Sequence, residues 1–168
     1  MRKIVYNETQ PLVNSRFKDY NPRPFFLARL FVYTLKNTFL KIFIIDDDSE
    51  DREFLIRALM SINPELTILE FAACIDGIED SELEFEMPPD YIFLDIHIPR
   101  TNGIDCLKKI KNKKAYKDVP IIIISTSTDH RDKEDCIRGG ASAYLVKPNS
   151  YAALIKVLNS VGVHAITN

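Results

Sequence analysis

Four short apolar runs limit what this chain can fold into. They cover residues 42–45, 91–94, 121–124 and 143–146, and each is followed at once by side chains that carry chemistry: Asp46 and Asp47, then Asp95, Ser125 and Lys147. Runs of this length without polar alternation fit strands buried on both faces, as in a parallel sheet. The carboxyl ends of such strands share one rim, where open α/β sheets bind ligands. The pattern therefore predicts that residues scattered over a hundred positions meet. Three carboxylates, a hydroxyl and an ammonium together suit a divalent cation and a phosphoryl group.

Helical signals lie between the runs. Ser49 offers an N-cap with Glu50 and Asp51 in the first turn, where negative charge suits the helix dipole. Phe54, Leu55, Ala58, Leu59 and Ile62 follow at helical spacing until Asn63 and Pro64. A second strand is expected over 66–71, a weak acidic helix within 76–85, and helices over about 104–111, 131–138 and 151–161. Gly139 and Gly140 close the fourth helix. Lys147 precedes Pro148 and is a candidate for a cis bond that aims its side chain. Five alternations of strand and helix give an α/β fold, a doubly wound five-stranded parallel sheet with helices on both faces. Strand two ends in Phe71, Ala72 and Ala73 with nothing reactive, which fits the flavodoxin-like order 2-1-3-4-5.

Charge divides the 168 residues. Residues 1–37 hold seven Lys/Arg against two Asp/Glu, and residues 38–168 hold fifteen against twenty-two. The expected units are an N-terminal extension (1–37), disordered or partly helical, a main domain (38–163) and a short tail (164–168). Residues 25–40 read as a helix packed on the domain or an ill-ordered tail; a membrane-surface or partner-binding helix is the less favoured reading, and a mis-assigned start codon is a third. The acidic main domain argues against a nucleic-acid partner. No apolar stretch reaches spanning length. Cys74, Cys106 and Cys136 are widely spaced and odd in number, which suggests a reducing, cytoplasmic setting, buried apolar thiols and no disulfide framework.

Taken singly, the candidate residues support bland readings too. Asp47, Asp48 and Glu50 suit a helix N-terminus, and Asp48 is expected to do only that. Asp95 is more telling. It ends a buried run and is followed by Ile96, Ile98 and Pro99, so its carboxylate needs a partner. Its functional reading is a nucleophile that forms an aspartyl-phosphate. Ser125 is weak alone, with Thr126 and Ser127 competing for its role. Lys147 suits a phosphoryl group.

Taken in order, the segments at 44–48, 91–103, 120–127 and 140–148, with 30 positions from Asp95 to Ser125 and 22 from Ser125 to Lys147, resemble the receiver domain of two-component response regulators, of the stand-alone, single-domain type. The resemblance covers about three-quarters of the chain. It implies that Asp95 accepts a phosphoryl group from a sensor histidine kinase or a histidine phosphotransfer protein. It implies that Asp46, Asp47, Asp95 and the backbone carbonyl of His97 hold Mg²⁺, and that Lys147 contacts the phosphoryl group. Ser125 then swings towards that group, and Tyr144 turns inward behind it. The face made by the helix at 131–138, strand five and the last helix changes shape and selects a downstream protein. His97 and Thr126 are placed to tune access and dephosphorylation. Because the last helix ends near the C-terminus, no output domain is expected.

Three functions follow: a phosphorylation-switched signalling module, a pseudo-receiver that binds protein without phosphorylation, and a phosphatase working through an aspartyl-phosphate. The acidic set with Lys147 favours the first over the second. The absence of a substrate-capping domain disfavours the third, so the chain is expected to catalyse at most its own phosphorylation and dephosphorylation.

Overall fold

A computed structural model of the chain describes residues 2–4, 40–74, 88–98 and 102–160. The elements are β1 (Arg2–Ile4), β2 (Lys41–Ile45), α1 (Ser49–Ile62), β3 (Thr67–Phe71), β4 (Tyr91–Leu94), α2 (Gly103–Asn112), β5 (Ile121–Ser125), α3 (His130–Arg138), β6 (Ala143–Val146) and α4 (Tyr151–Ser160). Five strands run parallel in the order β3-β2-β4-β5-β6, the 2-1-3-4-5 order read from the sequence. The helix expected within 76–85, most of the extension with its 25–40 helix, and the tail lie outside the described residues.

Side-chain alternation builds the two layers. Ile42, Ile44, Ile68, Phe93, Ile122, Ile124 and Leu145 face one way and pack with Leu55, Leu59, Leu154 and Leu158 of α1 and α4. Phe43, Ile45, Leu69, Ile92, Leu94, Ile121 and Ile123 face the other way, against Leu107 and Ile110 of α2 and Cys136 of α3. The central strands are apolar throughout because helices cover both sides. Each fully buried Ile or Phe here contributes about 1.5–3 kcal/mol by area.

Several local expectations need correction. The sequence suggested no strand before Lys41, yet Arg2–Ile4 pairs antiparallel with β3, Arg2 opposite Glu70 and Ile4 opposite Ile68. The edge of β3 has unpaired backbone groups to offer, and three residues without strand periodicity can take them. Asp48, not Ser49, is the N-cap of α1; its carboxylate accepts from the N–H groups of Glu50 (2.8 Å) and Asp51 (3.3 Å). That is the dipole-serving role expected of Asp48. No described peptide bond is cis, so Lys147 is aimed by its partners rather than by a cis Pro148.

The cysteines differ as well. Cys74 and Cys106 form a disulfide, with Cα atoms 5.8 Å apart. Cys74 follows β3 and Cys106 lies on α2, so the sheet face brings together residues 32 positions apart, a pairing that spacing alone does not reveal. Cys136 is the buried thiol expected; burial first, then Asp132 and Asp135, push it up to about 11.

The N-terminus of α2 sets the loop after β4. Asn102 caps it by accepting from the Ile104 N–H at 2.9 Å, and the Gly103 N–H donates to the Ile96 carbonyl at 3.1 Å. A Cβ on Gly103 would lie 2.2 Å from Ile96 Cα. The obstruction is backbone and cannot rotate away. Gly103→Ala is expected to cost stability at the upper end of the roughly 1–3 kcal/mol typical of overpacking. A lowered denaturation midpoint at unchanged slope checks it.

Candidate functional site

The same alternation decides which strand-end residues meet. Asp46 continues the Ile42/Ile44 side of β2, Asp95 the Phe93 side of β4, and Lys147 the Leu145 side of β6, all towards α1 and α4. The Lys147 Nζ donates to Asp46 Oδ2 at 2.7 Å and to Asp95 Oδ2 at 2.6 Å. Residues 101 and 52 positions apart thus share one ammonium. Asp46 and Asp95 are 3% and 6% exposed.

Their other oxygens are bound locally. Asp46 Oδ1 accepts from the Asp48 N–H, and Asp95 Oδ1 from the His97 N–H, both at 2.9 Å. These short turns fix both carboxylates where the chain leaves the sheet. Arg52, which the sequence did not single out, braces the same corner. Its Nη1 donates to the Asp46 carbonyl (2.7 Å) while its Nε pairs with Glu70 on β3 (3.1 Å).

The third partner of Lys147 is Asp51, whose Oδ2 accepts at 2.7 Å. Asp46, Asp51 and Asp95 each place a carboxylate oxygen within 4.8 Å of the others. The sequence reading gave Asp51 only a dipole role. It lies in the first turn of α1, the helix that packs on the side of the sheet where Asp46 and Asp95 emerge; that coincidence was the available signal.

The remaining candidates lie elsewhere. Asp47 takes the opposite parity and is exposed, outside the carboxylate cluster. Ser125 is fully buried, and its hydroxyl accepts from the Ser127 N–H at 3.2 Å. The Lys147 N–H donates to the Ser125 carbonyl at 2.7 Å, so Ser125 is tied to the site by backbone. The Tyr144 hydroxyl donates to the Ser127 carbonyl at 3.0 Å, and its ring packs on the α2–α3 core. Burial pushes the Tyr144 phenol up, which keeps it a donor. Thr126 and the His97 side chain are exposed.

One ammonium bonds three carboxylates but cannot neutralise them. Burial pulls Lys147 down, but its bonds to Asp46, Asp51 and Asp95 outweigh this and hold it above the ordinary lysine range. Burial raises Asp46 above the ordinary carboxylate range, and the pull of Lys147 and the Asp48 N–H offsets this only in part. The site thus keeps an excess of buried negative charge on hard oxygen donors, which fits Mg²⁺. A cleft of about 290 Å³ opens beside it, lined by Asp46, Asp51, Phe54, Lys147, Pro148 and Leu154 among others.

The family model of the response regulator receiver domain matches residues 42–159. The chain belongs to that family. As a receiver domain it is similar to the DNA-binding dual master transcriptional regulator RpaA of Synechocystis sp., 31% identical over 108 residues; the match covers 64% of this chain and 43% of RpaA. It therefore spans less than half of that relative. The polar-differentiation response regulator DivK of Brucella ovis is 29% identical over 120 residues, covering 71% of this chain and 94% of DivK. Among solved structures, the Mn(2+)-bound form of response regulator Rcp1 superposes with a TM-score of 0.63 at 19% identity, over 73% of this chain and 91% of that one. That likeness shows the flavodoxin-like receiver fold. Among the described residues no helix is long and apolar enough to cross a membrane.

Proposed function

We propose that this receiver domain takes a phosphoryl group onto Asp95 from a sensor histidine kinase or a histidine phosphotransfer protein, with Mg²⁺ bound, and signals by a change in its α3–β6–α4 face. The observation that carries the reading is the Lys147 ammonium 2.6 Å from the Asp95 carboxylate at the shared rim. A buried, bonded carboxylate fixed by the His97 N–H is pre-aimed as a nucleophile. Its oxygen forms a bond to phosphorus as the donor's phosphorus–nitrogen bond breaks, and the departing imidazole nitrogen takes up a proton. Lys147 then faces the new phosphoryl oxygens. Asp46 and Asp95 would hold the cation, with Asp47 and the His97 carbonyl near enough in sequence to complete the set. When bound, Mg²⁺ supplies positive charge that shields the incoming phosphoryl group from the carboxylates. The relative Rcp1, with its Mn(2+)-bound form, supports that assignment.

The new dianion interacts better with one arrangement of the Ser125–Ser127 loop than with the other, a population shift. Tyr144, bonded to the Ser127 carbonyl, links that loop to β6. Of the exposed large hydrophobic residues among those described, Ile137 lies on α3 and Val146 on β6, which suits a protein partner on that face; Tyr151 of α4 turns instead to Phe54 and the Arg57 carbonyl of α1. Catalysis is confined to the protein's own aspartyl-phosphate. Such a donor suits a cytoplasmic setting, and among the described residues the Cys74–Cys106 disulfide is the one feature that runs against it.

Incubation with acetyl phosphate and Mg²⁺ is expected to add one phosphoryl group per chain by mass, and chelation of the cation to prevent it. A chain that binds Mg²⁺ but stays unlabelled is a pseudo-receiver. Release of many equivalents of phosphate from a phosphomonoester would instead indicate a phosphatase.

A further inference from the structure

Lys147 presents an unsolved problem of charge. Its three ammonium donors each meet one carboxylate: Asp46, Asp51 and Asp95. A cation taking Asp46 and Asp95 needs oxygens that Lys147 now engages, and it repels the ammonium. The displaced ammonium then needs a partner, because its side chain is only 13% exposed and an unpaired buried charge is costly. Asp51 is the partner already in contact. Its side chain is 43% exposed, against 4% for Asp46 and 8% for Asp95, so it sits on the solvent side of the cluster. The flexible lysine stem allows a short retreat in that direction.

We propose that Asp51 is a positioning residue that retains the Lys147 ammonium at the edge of the site while a divalent cation takes Asp46 and Asp95. This rests on the Mg²⁺-dependent reading above. Asp51 so keeps Lys147 ready for the phosphoryl group without holding the cation itself.

The test is Mg²⁺ titration of the metal-free full chain followed by NMR, with no phosphodonor present. Asp51→Asn is expected to weaken Mg²⁺ binding roughly fivefold or more, as coupled neighbours do. Glu50→Gln, which removes an equal charge from the same helix turn, is expected to change it by less than about twofold, the range for an uncoupled site. In a Lys147→Met background, Asp51→Asn is expected to do no more than Glu50→Gln. An undiminished effect there would make Asp51 a ligand and overturn the role, as would equal effects of Asp51→Asn and Glu50→Gln in the wild type. The ¹⁵N ammonium signal of Lys147 gives a second readout that needs no lysine variant. It should persist in Mg²⁺-loaded wild type and vanish through water exchange in loaded Asp51→Asn; persistence in both would refute the proposal. A wild type that takes up no Mg²⁺ would instead sink the proposed function, and this role with it.

Discussion

Asp95→Asn is expected to take up no phosphoryl group from acetyl phosphate and Mg²⁺ under conditions that label wild type. The substitution keeps shape and still offers an oxygen to the His97 N–H, which Asp95 Oδ1 now accepts at 2.9 Å. It removes the anionic oxygen that attacks phosphorus, and an amide is no substitute nucleophile. The fold should survive, because Lys147 keeps Asp46 and Asp51 as partners. Stability should hold or rise, since fewer carboxylates then share one ammonium in a buried setting. The measurement is intact-mass labelling together with a thermal melt. Labelling that persists in a folded Asp95→Asn chain would move the acceptor to another carboxylate.

The fold was legible because its decisive signal is local. Residues 91–94 and 143–146 were bounded as the strands they are, since apolar runs between a Pro or Gly break and a charged end admit few alternatives. The site was legible for a related reason: parallel strands must place Asp46, Asp95 and Lys147 on one rim. Finer placement depends on parity. Asp46 and Asp47 are adjacent where the chain leaves β2, yet Asp46 is buried within the carboxylate cluster while Asp47 is exposed outside it. Ser125 shares the parity of Ile121 and Ile123 and is held by its own loop. Asp51 was missed because a carboxylate in a first helical turn has a sufficient local explanation in the dipole. Its bond to Lys147 spans 96 positions. The Cys74–Cys106 pair and the Arg2–Ile4 strand were missed for the same reason, being contacts made by the sheet and not by sequence neighbours.

Lys147→Met is expected to destabilise the metal-free protein by about 3–5 kcal/mol at neutral pH, the usual consequence of removing one partner from a buried charge pair. Methionine keeps most of the apolar stem, so the loss reports on charge and not on packing. A domain of ordinary stability has about 5–15 kcal/mol in all, which places the variant near its unfolding threshold. The deficit has a definite pH dependence. Asp46 already binds its proton more tightly folded than unfolded, because burial raises it. Its contribution is therefore fully present below the ordinary carboxylate value, about 3.9, and is lost as pH rises through the raised folded value. Removing Lys147 takes away the main influence holding Asp46 down, so this window extends upward and the neutral-pH cost grows. Lys147 itself is held above the ordinary lysine range, so the contribution of its charge in the wild type persists through neutral pH and fades only in strong alkali. Urea denaturation at neutral and mildly acidic pH, with and without Mg²⁺, separates the effects. The gap between Lys147→Met and wild type should narrow on acidification, as Asp46 takes up a proton. It should also narrow when Mg²⁺ supplies the missing positive charge. A gap unchanged by either would mean that the carboxylates at the ends of β2 and β4 are not in electrostatic conflict, and an absent gap that Lys147 stabilises the rim through its stem alone.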